Sequence, residues 1–179
     1  MNLKKGYAIM HHIYFTQGND DMIPRIAAII RPLLNAFDRL APLGDFIVRL
    51  WIAQIFFMSG LVKIQSWQST LMLFSHVYTV PFLSPYVAAV LSTAAELILP
   101  IFLVLGFGGR FVILIFFIYN AICAISYPFL WTPEGAAGLS QHINWALLLM
   151  FLMLHGPGKI SLDYLIRKIH GHHLEPNKS

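Results

Sequence analysis

The sequence predicts an all-α integral membrane protein, a four-transmembrane-helix bundle with amphipathic interfacial helices at its N- and C-terminal ends. Three observations predict it. Of the 179 residues, 58% are hydrophobic and only 11% are charged, against about 25% charged in a soluble domain. The mean hydropathy is +0.68. Four apolar runs, about residues 45–64, 85–105, 110–127 and 139–155, approach or exceed the length that crosses a hydrocarbon core of roughly 30 Å at about 1.5 Å per residue.

Composition also excludes function classes. The net charge of +4 is carried mostly by the two tails, which suits membrane lipid as a partner rather than nucleic acid. No DNA- or RNA-binding motif is present. A single cysteine, Cys123, cannot form an internal disulfide or a CxxC pair. No nucleotide-binding loop, nucleophile elbow or zinc-protease motif appears, and no extramembrane segment is large enough for a dinucleotide-binding domain.

Residues 1–43 are expected to form a cytoplasmic or interfacial N-terminal region. Its start, MNLKKGYAIMHHIYF, resembles a signal peptide. His11 and His12 break the apolar run, however, and no small-residue cleavage site follows, so a retained tail is expected. Across about residues 24–40, Ile26, Ile29, Ile30, Leu33, Leu34, Phe37 and Leu40 recur at helical spacing, with Arg31, Asn35, Asp38 and Arg39 on the other side. This predicts an amphipathic helix in the membrane interface, broken or restarted at Pro32.

The first span, about residues 45–64, places Arg49, Phe56, Gly60 and Lys63 on one stripe. Lys63 near one end reads as an interface anchor. Residues 65–84 form a loop with no basic residue. Trp67, His76 and Tyr78 suit a headgroup layer, and residues 70–74 are expected to form a short surface helix.

The second span, Pro85 to Leu105, organises the rest. Glu96 is its only charged residue, eleven residues in, so about 16 Å deep. A carboxylate at that depth should face protein or water. Pro100, four residues on, has no N–H for the Glu96 carbonyl. Ala88, Ala89, Ser92 and Thr93 let a neighbouring helix approach.

After the LGFGGR turn, whose Arg110 reads as a second interface anchor, the third span runs to Tyr127 and carries Asn120 at a depth matching Glu96. The fourth span is expected at residues 139–155, with His142 and Trp145 one turn apart. Gly156 stops it, and Ser161 can cap a C-terminal amphipathic helix with Asp163 in its first turn. Basic residues concentrate before the first span (Lys4, Lys5, Arg25, Arg31, Arg39) and after the fourth (Lys159, Arg167, Lys168, Lys178). The positive-inside rule therefore places both termini in the cytoplasm.

These residues resemble a known family. RLWIAQIFFMSGLVKI (49–64), VPFLSPYVAAVLSTAAELILPIFLVLG followed by GGR (80–110), YPFLW (127–131), HINW (142–145) and GPGKISLD (156–163) are similar in order and spacing to the DoxX family of small four-helix bacterial and archaeal membrane proteins. The resemblance covers about residues 44–166, and Gly156, Pro157, Gly158, Ser161 and Asp163 carry its last motif. It implies a bacterial inner-membrane location and an association with quinone-linked or oxidative-stress redox complexes. Val77 stands where relatives often have an acidic residue, and Cys123 near a position where they often have an amide.

The candidate chemistry follows. Glu96, Arg49 and Asn120 are expected to form a buried polar core, serving either proton or ligand handling or a structural bond between helices. Tyr78, Tyr127, Trp131, His142 and Trp145, with Trp67 nearby, are expected on the outer side, as an aromatic belt or a pocket for a quinone ring. A haem between helices needs two histidines at one depth, and His76, His142 and His155 do not supply them. A metal at His76 and His142 would lack an evident carboxylate or thiolate. No metal site is therefore expected, and quinone is the one cofactor considered. The function expected is a small membrane subunit of a quinone-linked redox or oxidative-stress system, not catalytic alone, with a redox protein or a second copy of the chain as partner. The alternative is a non-catalytic scaffold or a small-molecule or metal-related transporter.

Overall fold

The computed structural model describes residues 22–156 and 158–171. The N-terminal tail, with Lys4, Lys5, His11 and His12, lies outside the described residues. So do Pro157 and the C-terminal His172, His173 and Lys178. The described residues are all helical or irregular, with no strand among them: α1 (Met22–Gln65), α2 (Trp67–His76), α3 (Pro85–Leu105), α4 (Gly109–Ser126), a 3-10 turn (Pro128–Trp131), α5 (Ala136–His155) and α6 (Leu162–Gly171). Four of these helices are long and apolar enough to cross a membrane. The chain is an all-α membrane protein.

The chain divides into two units, Met1–Ala41 and Pro42–Ser179. In the first, the break expected at Pro32 does not occur, and α1 is helical through it. Proline's locked φ is already helical, and the carbonyl it leaves without a partner, that of Ala28, belongs to an exposed residue where the cost is smallest. Ile29, Leu33, Leu34, Phe37 and Leu40 are all exposed, as a lipid- or interface-facing stripe would be.

The second unit holds the core. From Pro42 to Gln65, α1 has enough residues to span a bilayer on its own. Its Ile52, Ala53 and Phe56 pack with Leu103 of α3, Ile113 and Phe116 of α4, and Leu149 and Leu152 of α5. Phe56 is central, edge-on to Phe116 at 4.7 Å and to Trp145 at 5.4 Å. Outward positions such as Ile98, Phe111, Ile118 and Leu154 are apolar and exposed, which is the arrangement expected where the surrounding solvent is lipid.

Helix α3 begins and ends where its local chemistry dictates. The Ser84 side chain accepts from the Val87 N–H, Pro85 occupies the first turn, and Gly106 closes the helix in the left-handed region at φ 63°. Pro100 lies inside the helix without ending it. Helix α2 is longer than the expected 70–74 segment. It spans Trp67–His76 and buries Phe74 against Ala88 and Ala89, so it packs on the first turns of α3 rather than lying free. The fourth span starts three residues earlier than expected, at Ala136, because Gly135 donates to Thr132 and accepts from Gly138 and Leu139, which starts the helix before its apolar run begins. Ser161 caps α6 by accepting from the Tyr164 N–H at 3.2 Å.

Candidate functional site: a cavity with a lysine–glutamate wall

The three residues expected to share one polar core are all buried: Arg49 is 1%, Glu96 4% and Asn120 1% exposed. They occupy three separate places. Glu96 is bonded neither to Arg49 nor to Asn120. Its partner is Lys63, whose ammonium donates to both carboxylate oxygens, with Nζ 2.5 Å from Oε2. Lys63, expected as an interface anchor, has a side chain only 13% exposed. Gly60 permits the pairing. It lies one turn before Lys63, against Glu96 and Leu97, where a Cβ would stand 2.9 Å from the Leu97 side chain.

Tyr119 and Ser92 complete this group; the sequence reading took Ser92 as a packing residue only and missed Tyr119. The Tyr119 hydroxyl donates to Glu96 Oε1 at 3.1 Å and accepts from Ser92 Oγ at 2.9 Å. Tyr119 lies one residue before Asn120, within an apolar run where a tyrosine reads as core. Only its register, 23 residues on from Glu96 on the next helix, hinted at contact.

Arg49 lies about four turns before Lys63 on α1. Its guanidinium donates to the carbonyls of Leu103 and Val104, the last turn of α3, and to that of Ile160 in the segment before α6. Its Nε donates to the Asp45 carbonyl. Nearby, the Asp163 carboxylate accepts from the Gly108 N–H at 3.2 Å, and Arg110 donates to the Leu154 carbonyl at 3.1 Å. Arg110, expected as an anchor, therefore also ties α4 to the end of α5. Gly156, Gly158, Ser161 and Asp163 belong to this end of the protein, which is built from helix ends joined by charged side chains.

Asn120 bonds to His142. Its Nδ2 donates to the His142 carbonyl at 2.9 Å, and its Oδ1 lies 2.8 Å from His142 Nδ1. The His142 ring meets Trp145 edge-on at 4.8 Å.

A cavity of about 450 Å³ lies beside the lysine–glutamate pair. Lys63, Glu96, Tyr119 and Ser92 give it one polar wall. Four of the five expected pocket residues, Tyr78, Tyr127, His142 and Trp145, line the remainder with Phe56 and Cys123. Tyr78 stands edge-on to Tyr127 at 5.2 Å, and burial, with Tyr127 beside it, raises the Tyr78 phenol above its ordinary pKa, so it remains a neutral hydroxyl. Trp131 is the exception. Its indole N–H donates to the Ala124 carbonyl and its ring is 62% exposed, away from the cavity. The 3-10 turn that carries it directs the ring outward. Trp67 packs on Tyr86 instead. Among the described residues no cluster of metal-ligating side chains occurs.

Fold and site thus define a small multi-pass membrane protein with a partly open, largely apolar cavity that carries one polar wall. The comparison with family models narrows this class: residues 44–127 match the DoxX family model, so over that stretch the chain is similar to DoxX proteins. The match covers the first three spans, whereas the motif resemblance extends further, to about residue 166. No curated protein and no solved structure matches.

Proposed function

We propose that this DoxX-like membrane protein is a small subunit of a quinone-linked redox system, and that its cavity receives the quinone headgroup. The observation that carries this reading is the composition of the cavity wall. A flat apolar ring with polar groups at its ends needs aromatic and aliphatic sides and a few converging donors and acceptors. Phe56, Trp145 and Tyr127 offer the sides. Lys63, Glu96, Tyr119 and Ser92 offer the polar end.

A quinone would supply reversible two-electron, two-proton chemistry when bound. The chain's own residues would bind and orient the ring, exclude water, and hold a proton at Glu96 or Lys63. Electrons are assigned to a partner redox protein, so the chain is proposed to act within a complex and not as an enzyme alone. The excess of basic residues outside the first and fourth spans supports a bacterial inner-membrane placement with both termini in the cytoplasm.

The test is purification of the full chain in mild detergent, followed by solvent extraction and spectroscopy of what it carries. A stoichiometric quinone, reduced in Glu96→Gln and Lys63→Met, supports the reading. A quinone-free protein that moves a solute across vesicles with no electron donor supports the transporter alternative.

A further inference from the structure

The Asn120–His142 pair fixes a proton. A backbone carbonyl only accepts hydrogen bonds, so the group that Asn120 directs at the His142 carbonyl is its NH2. The Asn120 amide oxygen therefore faces the His142 ring, at 2.8 Å from Nδ1. That oxygen also only accepts, so Nδ1 must carry the proton. A neutral imidazole protonated at Nδ1 has its lone pair at Nε2. Nε2 makes no hydrogen bond to any described residue, and His142 lines the cavity. Trp145, edge-on to the ring, limits its rotation. Asn120 itself is 1% exposed and does not line the cavity, so its two bonds to His142 account for its position.

We infer that Asn120 is a positioning residue that holds His142 in the Nδ1–H form, so that Nε2 accepts a hydrogen bond from a hydroxyl of the cavity's ligand. This rests on the quinone reading and sharpens it. An O–H of the reduced ring satisfies the Nε2 lone pair, whereas the oxidised ring has no donor and leaves it unmet. The site is selective for a hydroquinone.

The experiment has two independent readouts on the full chain. The first is 15N NMR of histidine-labelled protein without ligand, with the His142 signals identified by their loss in His142→Phe. The expected spectrum shows a protonated Nδ1 and a bare Nε2 in the wild type, shifting toward Nε2–H in Asn120→Leu. A wild-type His142 protonated on Nε2 alone overturns the inference, and this measurement needs no variant to fold beyond the one used for assignment. The second readout is competitive binding of tetramethylbenzoquinone and its hydroquinone. The expected preference for the hydroquinone is roughly tenfold, about the value of one hydrogen bond, and the ratio of the two affinities falls to near parity in His142→Phe. Equal wild-type affinities overturn the inference. If neither probe binds, the cavity reading itself fails and the selectivity with it. That failure is separable, because the NMR signal does not depend on any ligand.

Discussion

The Lys63 ammonium bridges both oxygens of Glu96, joining the last turn of α1 to the middle of α3 inside the apolar second unit. Both side chains are nearly buried, so neither charge can turn to bulk water without the other moving. A paired charge of this kind costs little in place. An orphaned one costs about 3–5 kcal/mol.

That asymmetry gives the first expectation. Glu96→Gln or Lys63→Met alone should each destabilise the protein by about 3–5 kcal/mol. The double variant should recover most of that loss. Thermal unfolding in detergent of all four proteins closes the cycle. Additive losses would show that the two side chains do not act as a pair.

The close approach at Gly60 gives the second. A Cβ there would meet Leu97 and Glu96 at 2.9–3.1 Å. Gly60→Val should push α1 from α3, cost about 1–3 kcal/mol and weaken ligand binding by loosening the Lys63–Glu96 contact. Gly60→Ala should do the same to a smaller extent. Thermal unfolding and quinone binding measured together check this.

Arg49 should behave differently from Glu96. Arg49→Met removes donors from the carbonyls of Leu103, Val104 and Ile160. Hydrogen exchange should quicken at residues 103–106 and 158–165 while binding in the cavity stays near wild type. Arg49→Lys should rescue poorly, since an ammonium lacks the planar fork that reaches several acceptors at once.

Topology can be checked separately. A reporter fused after Ser179 should be active only in the cytoplasm, as should one placed at the N-terminus. Activity of either on the outer face would reverse the orientation drawn from the basic residues.

Much of the fold was legible. Pro85 to Leu105 is the helix read from the sequence, because Ser84, Pro85 and Gly106 set its ends locally. The apolar runs named all four spans, since hydropathy over twenty residues needs no tertiary information. The polar pairings were not legible. Counting depth from Pro85 put Glu96 near the midplane, opposite Asn120 and within reach of Arg49. Glu96 instead lies beside Gly60, within reach of the long Lys63 side chain one turn on. A linear ruler cannot show that pairing. Trp131 was assigned to the pocket because it falls on the outer side with the other aromatics, whereas the 3-10 turn that carries it leaves its ring exposed. His142 and Trp145 fell together because one helical turn separates them, a spacing that sequence does encode.

Photoaffinity labelling tests the central claim, that the cavity beside Lys63 and Glu96 is the ligand site. The full chain would be irradiated with an azidobenzoquinone and the labelled peptides sequenced. Label is expected within residues 119–127 and 142–145, suppressed by excess unlabelled quinone. Label confined to outward positions such as Phe111, Ile118 and Leu154, and indifferent to competitor, would contradict it.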